Sequence, residues 1–273
     1  MIVSKKMYEL GSKRSAIREL FEYGKQQVAK VGAENVFDFS LGNPTVPSPA
    51  IVNETLKEIM DNNDSITVHG YTSAQGDVQT RKAIADYLNN TYGTHFTENN
   101  FYMTMGAAAS LSLCFKALTT SENDEFITIA PYFPEYNVFV ESSGAKLVVV
   151  SADTTNFQIN FDELEQKINK NTKGVIINSP NNPSGAVYSK ATIEKLASLL
   201  ERKSNEYNTQ IFIISDEPYR EIAYDGIEVP YVTKYYNNTL VCYSYSKSLS
   251  LPGERIGFVI VPDEAYESKE LYA

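Results

Sequence analysis

The chain reads as an α/β protein built on a mixed, mostly parallel sheet of seven strands. Two observations predict it. From about residue 75 onward, short β-branched runs alternate with longer amphipathic ones, as in consecutive βαβ units. The 273 residues, 42% hydrophobic and 12% aromatic, suffice for one large core with or without a smaller companion.

The elements follow in chain order. Residues 12–31 alternate charged and apolar side chains at helical spacing, which predicts a helix packed on something outside the sheet. The stretch Leu41-Gly42-Asn43-Pro44-Thr45-Val46-Pro47-Ser48-Pro49 holds three prolines and a glycine. It is therefore extended and separates two parts, 1–47 and 48–273. Candidate strands lie at 101–104, 125–130, 146–150, 175–178, 211–215, 240–243 and 256–261. Helical patterns run through 77–91, 107–118, 134–142, 161–169 and 189–204. The last places Ile193, Leu196, Ala197 and Leu200 on one face, with Ser189 as its cap and Thr192 where a capping box prefers Glu. Only residues 244–255 separate the last two strands, too tight for a helical crossover, so that pair reads as antiparallel.

Several chemistries are poorly supplied. With 24 Lys and Arg against 34 Asp and Glu, the net charge is −10, which argues against nucleic acid and anionic lipid as partners. Cys114 and Cys242 sit in apolar stretches without metal-like spacing, so reduced thiols and a cytoplasmic location are expected. No apolar run approaches the length of a bilayer span, and no secretory signal is present at the N-terminus. His69 and His95 are the only histidines, too few for a histidine-rich zinc site, and no metal is expected. There is no G-x-G, which removes the dinucleotide fingerprint.

Four polar, turn-forming segments each follow a candidate strand, at the edge where open α/β sheets bind ligands. They are Met105–Ser110, Asn178–Gly185, Asp216–Tyr219 and Ser244–Lys247. Gly106-Ala107-Ala108 opens a helix, so its N–H groups suit a phosphate; in isolation a plain strand-to-helix turn is the commoner reading. Asp216 ends a strongly apolar strand, where a carboxylate needs a cationic partner, or else it is a surface cap. Lys247, if desolvated, could form an imine with an aldehyde, although most lysines are solvated surface charge. Arg255, eight positions on, suits a phosphate or a surface ion pair.

Taken together, the segments resemble the class I/II aminotransferases, pyridoxal-phosphate (PLP) enzymes of fold type I. The matching runs are Leu41–Pro44, Gly70–Gly76 with Arg81–Ala85, Thr104–Ala107, Pro131–Tyr136, Asn181–Gly185, Asp216–Tyr219, Ser244–Lys247 and Pro252–Gly257, all in family order. The resemblance implies a three-layer α/β/α large domain over 48–273. Residues 1–47 would then form an arm, helix and linker belonging partly to a small domain. It implies that Lys247 forms a Schiff base with PLP and moves the substrate α-proton, that Asp216 pairs with the ring nitrogen, and that Asn182 and Tyr219 bind the phenolate oxygen. Phe133 would stack on the ring. Gly106, Ala107, Ala108, Ser244, Ser246 and Arg255 would hold the phosphate, and Tyr71 would reach the phosphate of a second subunit in a homodimer. Gly42, Asn43 and Asn182 would meet the substrate.

The activity implied is amino transfer between an L-amino acid and a 2-oxo acid. The alternatives are a β-eliminating carbon–sulfur lyase or aminocyclopropane-carboxylate synthase on the same scaffold, or a non-catalytic PLP-binding module. Two departures stand out. Thr80 replaces the usual Leu before Arg81, a local packing difference. Family members continue further and supply an arginine that clamps the substrate carboxylate, whereas no arginine follows Arg255; on this reading the sequence is a fragment.

Overall fold

The computed structural model describes residues 2–3, 5–12, 16–40 and 42–273, and the chain divides into two units, Met1–Pro47 and Ser48–Ala273. In the first unit, α2 (Ala16–Val31) falls within the helix expected over 12–31, and α1 (Lys5–Ser12) precedes it where the sequence suggested no element. Residues 13–15 of that expected helix, and Leu41 of the proline-rich stretch, lie outside the described residues. Glu19 in the first turn of α2 and Lys30 in its last oppose the helix dipole.

The second unit begins with α3 (Ala50–Asn62) and α4 (Ser65–His69), in a stretch where the sequence suggested no element. Neither helix buries a residue; α3 carries an apolar stripe, but its Ile51, Leu56, Ile59 and Met60 stay exposed. Asp64 starts α4 by accepting from the N–H groups of Ile66 and Thr67, each at 3.0 Å. The alternating region then runs α5 (Val78–Tyr92), β1 (Phe101–Thr104), α6 (Ala107–Leu118), β2 (Glu125–Ile129), α7 (Tyr136–Ser143), β3 (Lys146–Val150), α8 (Phe161–Lys167) and β4 (Thr172–Asn178). It continues with α9 (Lys190–Tyr207), β5 (Phe212–Asp216), β6 (Thr239–Ser244), α10 (Tyr245–Ser248), β7 (Gly257–Ile260) and α11 (Ser268–Tyr272). Ser189 caps α9 as expected, accepting from the Thr192 N–H at 3.1 Å.

The seven strands form one mixed sheet in the order β1-β7-β6-β5-β4-β2-β3. Strands β2 to β6 pair in parallel, and β7 is antiparallel to both β6 and β1. The period of two along each strand sorts the core into two faces. Ile127, Ile129, Val175, Ile177 and Ile213 pack with Leu164 of α8 and Ile193, Leu196 and Leu200 of α9. On the same side, Val241, Tyr243 and Phe258 pack with Ile84 and Leu88 of α5. The opposite face, with Phe126, Ile176, Phe212, Ile214, Leu240 and Cys242, meets Leu111 and Phe115 of α6 and Tyr136 and Val140 of α7. Three layers result. Asp216 shares the parity of Phe212 and Ile214, so it belongs to the α6/α7 side.

Candidate active site

Parallel strands β4, β5 and β6 end together, and their last residues are Asn178, Asp216 and Ser244. Register pairs Asn178 with Asp216, Asp216 with Cys242, and Ser244 with Gly257 of β7. Beyond this edge lies a cavity of about 210 Å³ lined by Ala107, Ala108, Phe133, Asn182, Asp216, Tyr219, Ser244, Ser246, Lys247 and Arg255. Four residues given no role in the sequence reading complete it: Asn178, Pro218 and Pro252, which belong to the segments named there, and Leu111, which does not. Of the remaining candidates, Gly106 caps α6, and Tyr71 is fully exposed and outside this lining. Gly42 and Asn43 belong to the first unit and are exposed.

One end of the cavity is built for an anion. Gly106 has φ 85°, a conformation natural to glycine, and a Cβ there would stand 2.8 Å from Arg255 Nη2. The close approach sets the guanidinium beside the start of α6, whose first N–H groups have no intrahelical acceptor. Arg255 is oriented by donating from Nη1 to the Pro252 carbonyl at 2.9 Å and from Nη2 to the Met105 carbonyl at 3.3 Å. The hydroxyls of Ser244 and Ser246, 2.7 Å apart, line the same cavity. Helix dipole, guanidinium and hydroxyls together favour a doubly negative group.

The cavity is also bordered by a buried acid. Asp216 is 5% exposed; its Oδ2 accepts from the Tyr136 hydroxyl at 2.6 Å, while Oδ1 is buried and receives no hydrogen bond. Burial pushes the carboxyl up to about 7, the Tyr136 hydrogen bond pulls it down, and nearby Glu217 raises it further. An orphaned carboxylate oxygen costs free energy unless a cationic donor meets it. Tyr219 is also raised, chiefly by burial and then by Asp216, with a hydrogen bond from Asn182 opposing.

Lys247 sits in the single turn of α10, for which Ser244 is the cap, accepting from the Ser246 N–H at 3.2 Å. Partial burial lowers its ammonium below the ordinary lysine value, which enlarges the neutral, nucleophilic fraction. The turn is braced by a 2.8 Å hydrogen bond between the Tyr243 and Ser248 hydroxyls. The Tyr243 and Tyr245 rings add an edge-on contact with centroids 5.1 Å apart.

Sequence reasoning missed three supports. Asn178 joins two loops: its Nδ2 donates to the Asp216 carbonyl at 2.8 Å and its Oδ1 accepts from the Asn182 N–H at 2.6 Å. Glu217 and Arg220, 2% and 5% exposed, form a buried ion pair at 2.6 Å that braces the turn carrying Pro218 and Tyr219. Burial opposes the Arg220 charge and Glu217 restores it, leaving its pKa raised overall. Tyr136 is the third. Its only sequence signal was a place at the end of the Pro131–Tyr136 run.

A family model described as aminotransferase class I and II matches residues 34–270. The chain belongs to this family. Among curated members it is 33% identical to the aspartate aminotransferase of Pyrococcus horikoshii over 264 residues, 96% of this chain and 63% of that protein. It is 29% identical to a probable N-acetyl-LL-diaminopimelate aminotransferase of Bacillus subtilis, over 85% of this chain and 56% of the relative. The chain therefore spans roughly three fifths of the length of these family members. A solved amino transferase from Eubacterium rectale is 70% identical, with a TM-score of 0.98 over 100% of this chain and 68% of its own. The aspartate aminotransferase of Thermotoga maritima, 28% identical, superposes with a TM-score of 0.83 over 99% of this chain and 68% of its own. Among the described residues no helix is long and apolar enough to cross a membrane. No group of three or more His, Cys, Asp or Glu among them could hold a metal ion.

Proposed function

We propose that the protein is a pyridoxal-phosphate-dependent aminotransferase that moves an amino group between an L-amino acid and a 2-oxo acid. One observation carries the reading: a buried, unpartnered Asp216 Oδ1 borders the same cavity as a lysine of lowered basicity and an anion cradle. A flat heterocycle with a basic ring nitrogen, an aldehyde and a phosphate matches those three features. The donor set therefore fits the group. Asp216 would hold the ring nitrogen, Phe133 would cover a ring face, and Asn182 and Tyr219 would bind the phenolate oxygen. Ala107 and Ala108 N–H groups, Ser244, Ser246 and Arg255 would hold the phosphate.

Bound pyridoxal phosphate supplies an aldehyde that condenses with amines and a protonated ring that withdraws electrons from the carbon bearing the amino group. The residues of the chain do the rest. Ionised Asp216, out of water, keeps a proton on the partner nitrogen because losing it would strand the buried charge. Lys247 Nζ would hold the aldehyde and, as a free amine, would be the base that takes the substrate α-proton. Its partial burial lowers the basicity of the ammonium, which favours the neutral amine. The Gly106–Arg255 end would hold the phosphate and so orient the group toward Lys247 and Asp216.

Gly42, Asn43 and Asn182 are proposed substrate contacts. The exposed Tyr71 is proposed to complete the phosphate site of a second copy in a homodimer, and residues 1–47 are proposed as part of the small domain. The reading is tested by loading the chain with pyridoxal phosphate, reducing with borohydride and mapping the labelled peptide. Label on Lys247, lost in Lys247→Ala together with the visible absorption band, is the expected result. Label elsewhere, or an unchanged spectrum in Lys247→Ala, refutes it. Oxo-acid-dependent transfer, against release of pyruvate and ammonia from a cysteine conjugate, separates transferase from lyase.

A further inference from the structure

The two oxygens of Asp216 have different fates, and one side chain causes the difference. Tyr136, the first residue of α7, is 1% exposed, and its hydroxyl donates to Oδ2 at 2.6 Å. Its ring meets Phe133 edge-on, centroids 5.7 Å apart and planes at 85°, and lies parallel to Tyr132 at 6.3 Å. A carboxylate tethered at one oxygen cannot rotate freely about its Cβ–Cγ bond, so the other oxygen keeps one direction.

We infer that Tyr136 is a positioning residue of this site: its hydroxyl holds Oδ2 so that Oδ1 is the oxygen offered to a protonated ring nitrogen, and its ring supports Phe133, which would cover that ring. The inference rests on the pyridoxal phosphate reading above. It assigns to one residue the alignment of both the acid and the aromatic that the cofactor ring would touch.

The electrostatics agree with the geometry. Burial, followed by the Asp216 charge, holds the Tyr136 phenol well above its ordinary range, so it stays protonated and acts only as a donor. The other ionisable groups about Asp216 are Glu217 and Tyr219 in the turn after β5, Cys242 on β6, and Lys247 on α10. Glu217 and burial raise Asp216, and the Tyr136 hydroxyl is the side-chain hydrogen bond that lowers it. Removing that hydroxyl therefore moves the carboxyl further up.

The test is Tyr136→Phe in the full chain, which keeps the ring and removes the donor. Its first readout needs no cofactor: the titration of Asp216, followed by carboxylate carbon NMR and assigned by its absence in Asp216→Asn. The midpoint is expected to rise by about one pH unit. Replacing the Tyr136 ring by 3-fluorotyrosine, which keeps the hydroxyl and makes it a stronger donor, is expected to lower it. The second readout is pyridoxal phosphate affinity at pH 8, expected to fall about tenfold in Tyr136→Phe. Tyr132→Phe, a hydroxyl removed from the same aromatic stack without a bond to Asp216, should move neither. A wild type that binds the cofactor while Tyr136→Phe leaves midpoint and affinity unchanged overturns the role of Tyr136 alone. A wild type that takes up no pyridoxal phosphate overturns the cofactor reading, and the positioning role with it.

Discussion

Asp216→Asn should make the cofactor-free protein more stable while it weakens cofactor binding. The carboxyl is pushed up to about 7 in the folded chain against 3.8 for an ordinary aspartate. Between those values the folded state binds more protons than the unfolded one, so stability falls as pH rises. The contribution is fully present below pH 3.8 and is lost as pH passes through about 7. From pH 5 to 8 the change amounts to roughly two decades of proton affinity at about 1.4 kcal/mol each, or about 3 kcal/mol. Asparagine stays neutral throughout and can still accept from Tyr136. Urea unfolding of both proteins, freed of cofactor, should give stability curves that diverge by about that amount over this range, with Asp216→Asn the more stable at pH 8. The other carboxylates are common to both proteins and cancel in the difference. Saturating pyridoxal phosphate should restore the wild type and do little for the variant, because a cation then meets Oδ1 only where the charge remains. Parallel curves from pH 5 to 8 would show that Asp216 is not a strained acid and would remove the electrostatic argument for a cationic partner.

Two further substitutions probe the frame of the site. Arg220→Ala leaves Glu217, 2% exposed, as a buried charge and should cost about 3–5 kcal/mol; the denaturation midpoint reads it, and Glu217→Gln with Arg220→Met should recover most of the loss. Gly257→Ala would put a Cβ 2.8 Å from the Cα of Gly106, backbone that cannot yield cheaply. A loss of about 1–3 kcal/mol is expected in urea, together with weaker binding of inorganic phosphate, since β7 and the start of α6 would be forced apart.

The seven strands were legible because their signal is local. Runs such as Ile211-Phe212-Ile213-Ile214 carry more apolar, β-branched surface than one helical face can bury, so a central strand follows from chemistry within a few residues. The antiparallel placing of β7 was legible from the short 244–255 connection. Two helices escaped, α3 and α4: α4 is only five residues long, and the apolar spacing of Val52, Leu56, Ile59 and Met60 in α3 lies upstream of the strand-and-helix alternation that begins near residue 75. The N-terminal helix expected over 12–31 is found as α2, whereas α1, ahead of it at Lys5–Ser12, was not read from the sequence.

The chemistry divides in the same way. Gly106, Asp216 and Lys247 declare themselves in sequence because each follows a strand or opens a helix, and Arg255 by its place eight positions after Lys247; residue type plus position limits what such a group can do. The relation between Tyr136 and Asp216 could not be read there. Eighty positions separate them, and their contact depends on α7 covering the face of β5 that carries Phe212 and Ile214. Likewise Asn178 bonds both the Asp216 carbonyl and the Asn182 N–H only because β4 and β5 end in register. The sequence alone thus determined which residues can carry charge, nucleophile and backbone donors at the sheet edge. Tertiary structure decided which oxygen of Asp216 is tethered and which is left for a ligand, because hydrogen-bond partners between layers are set by packing and strand register.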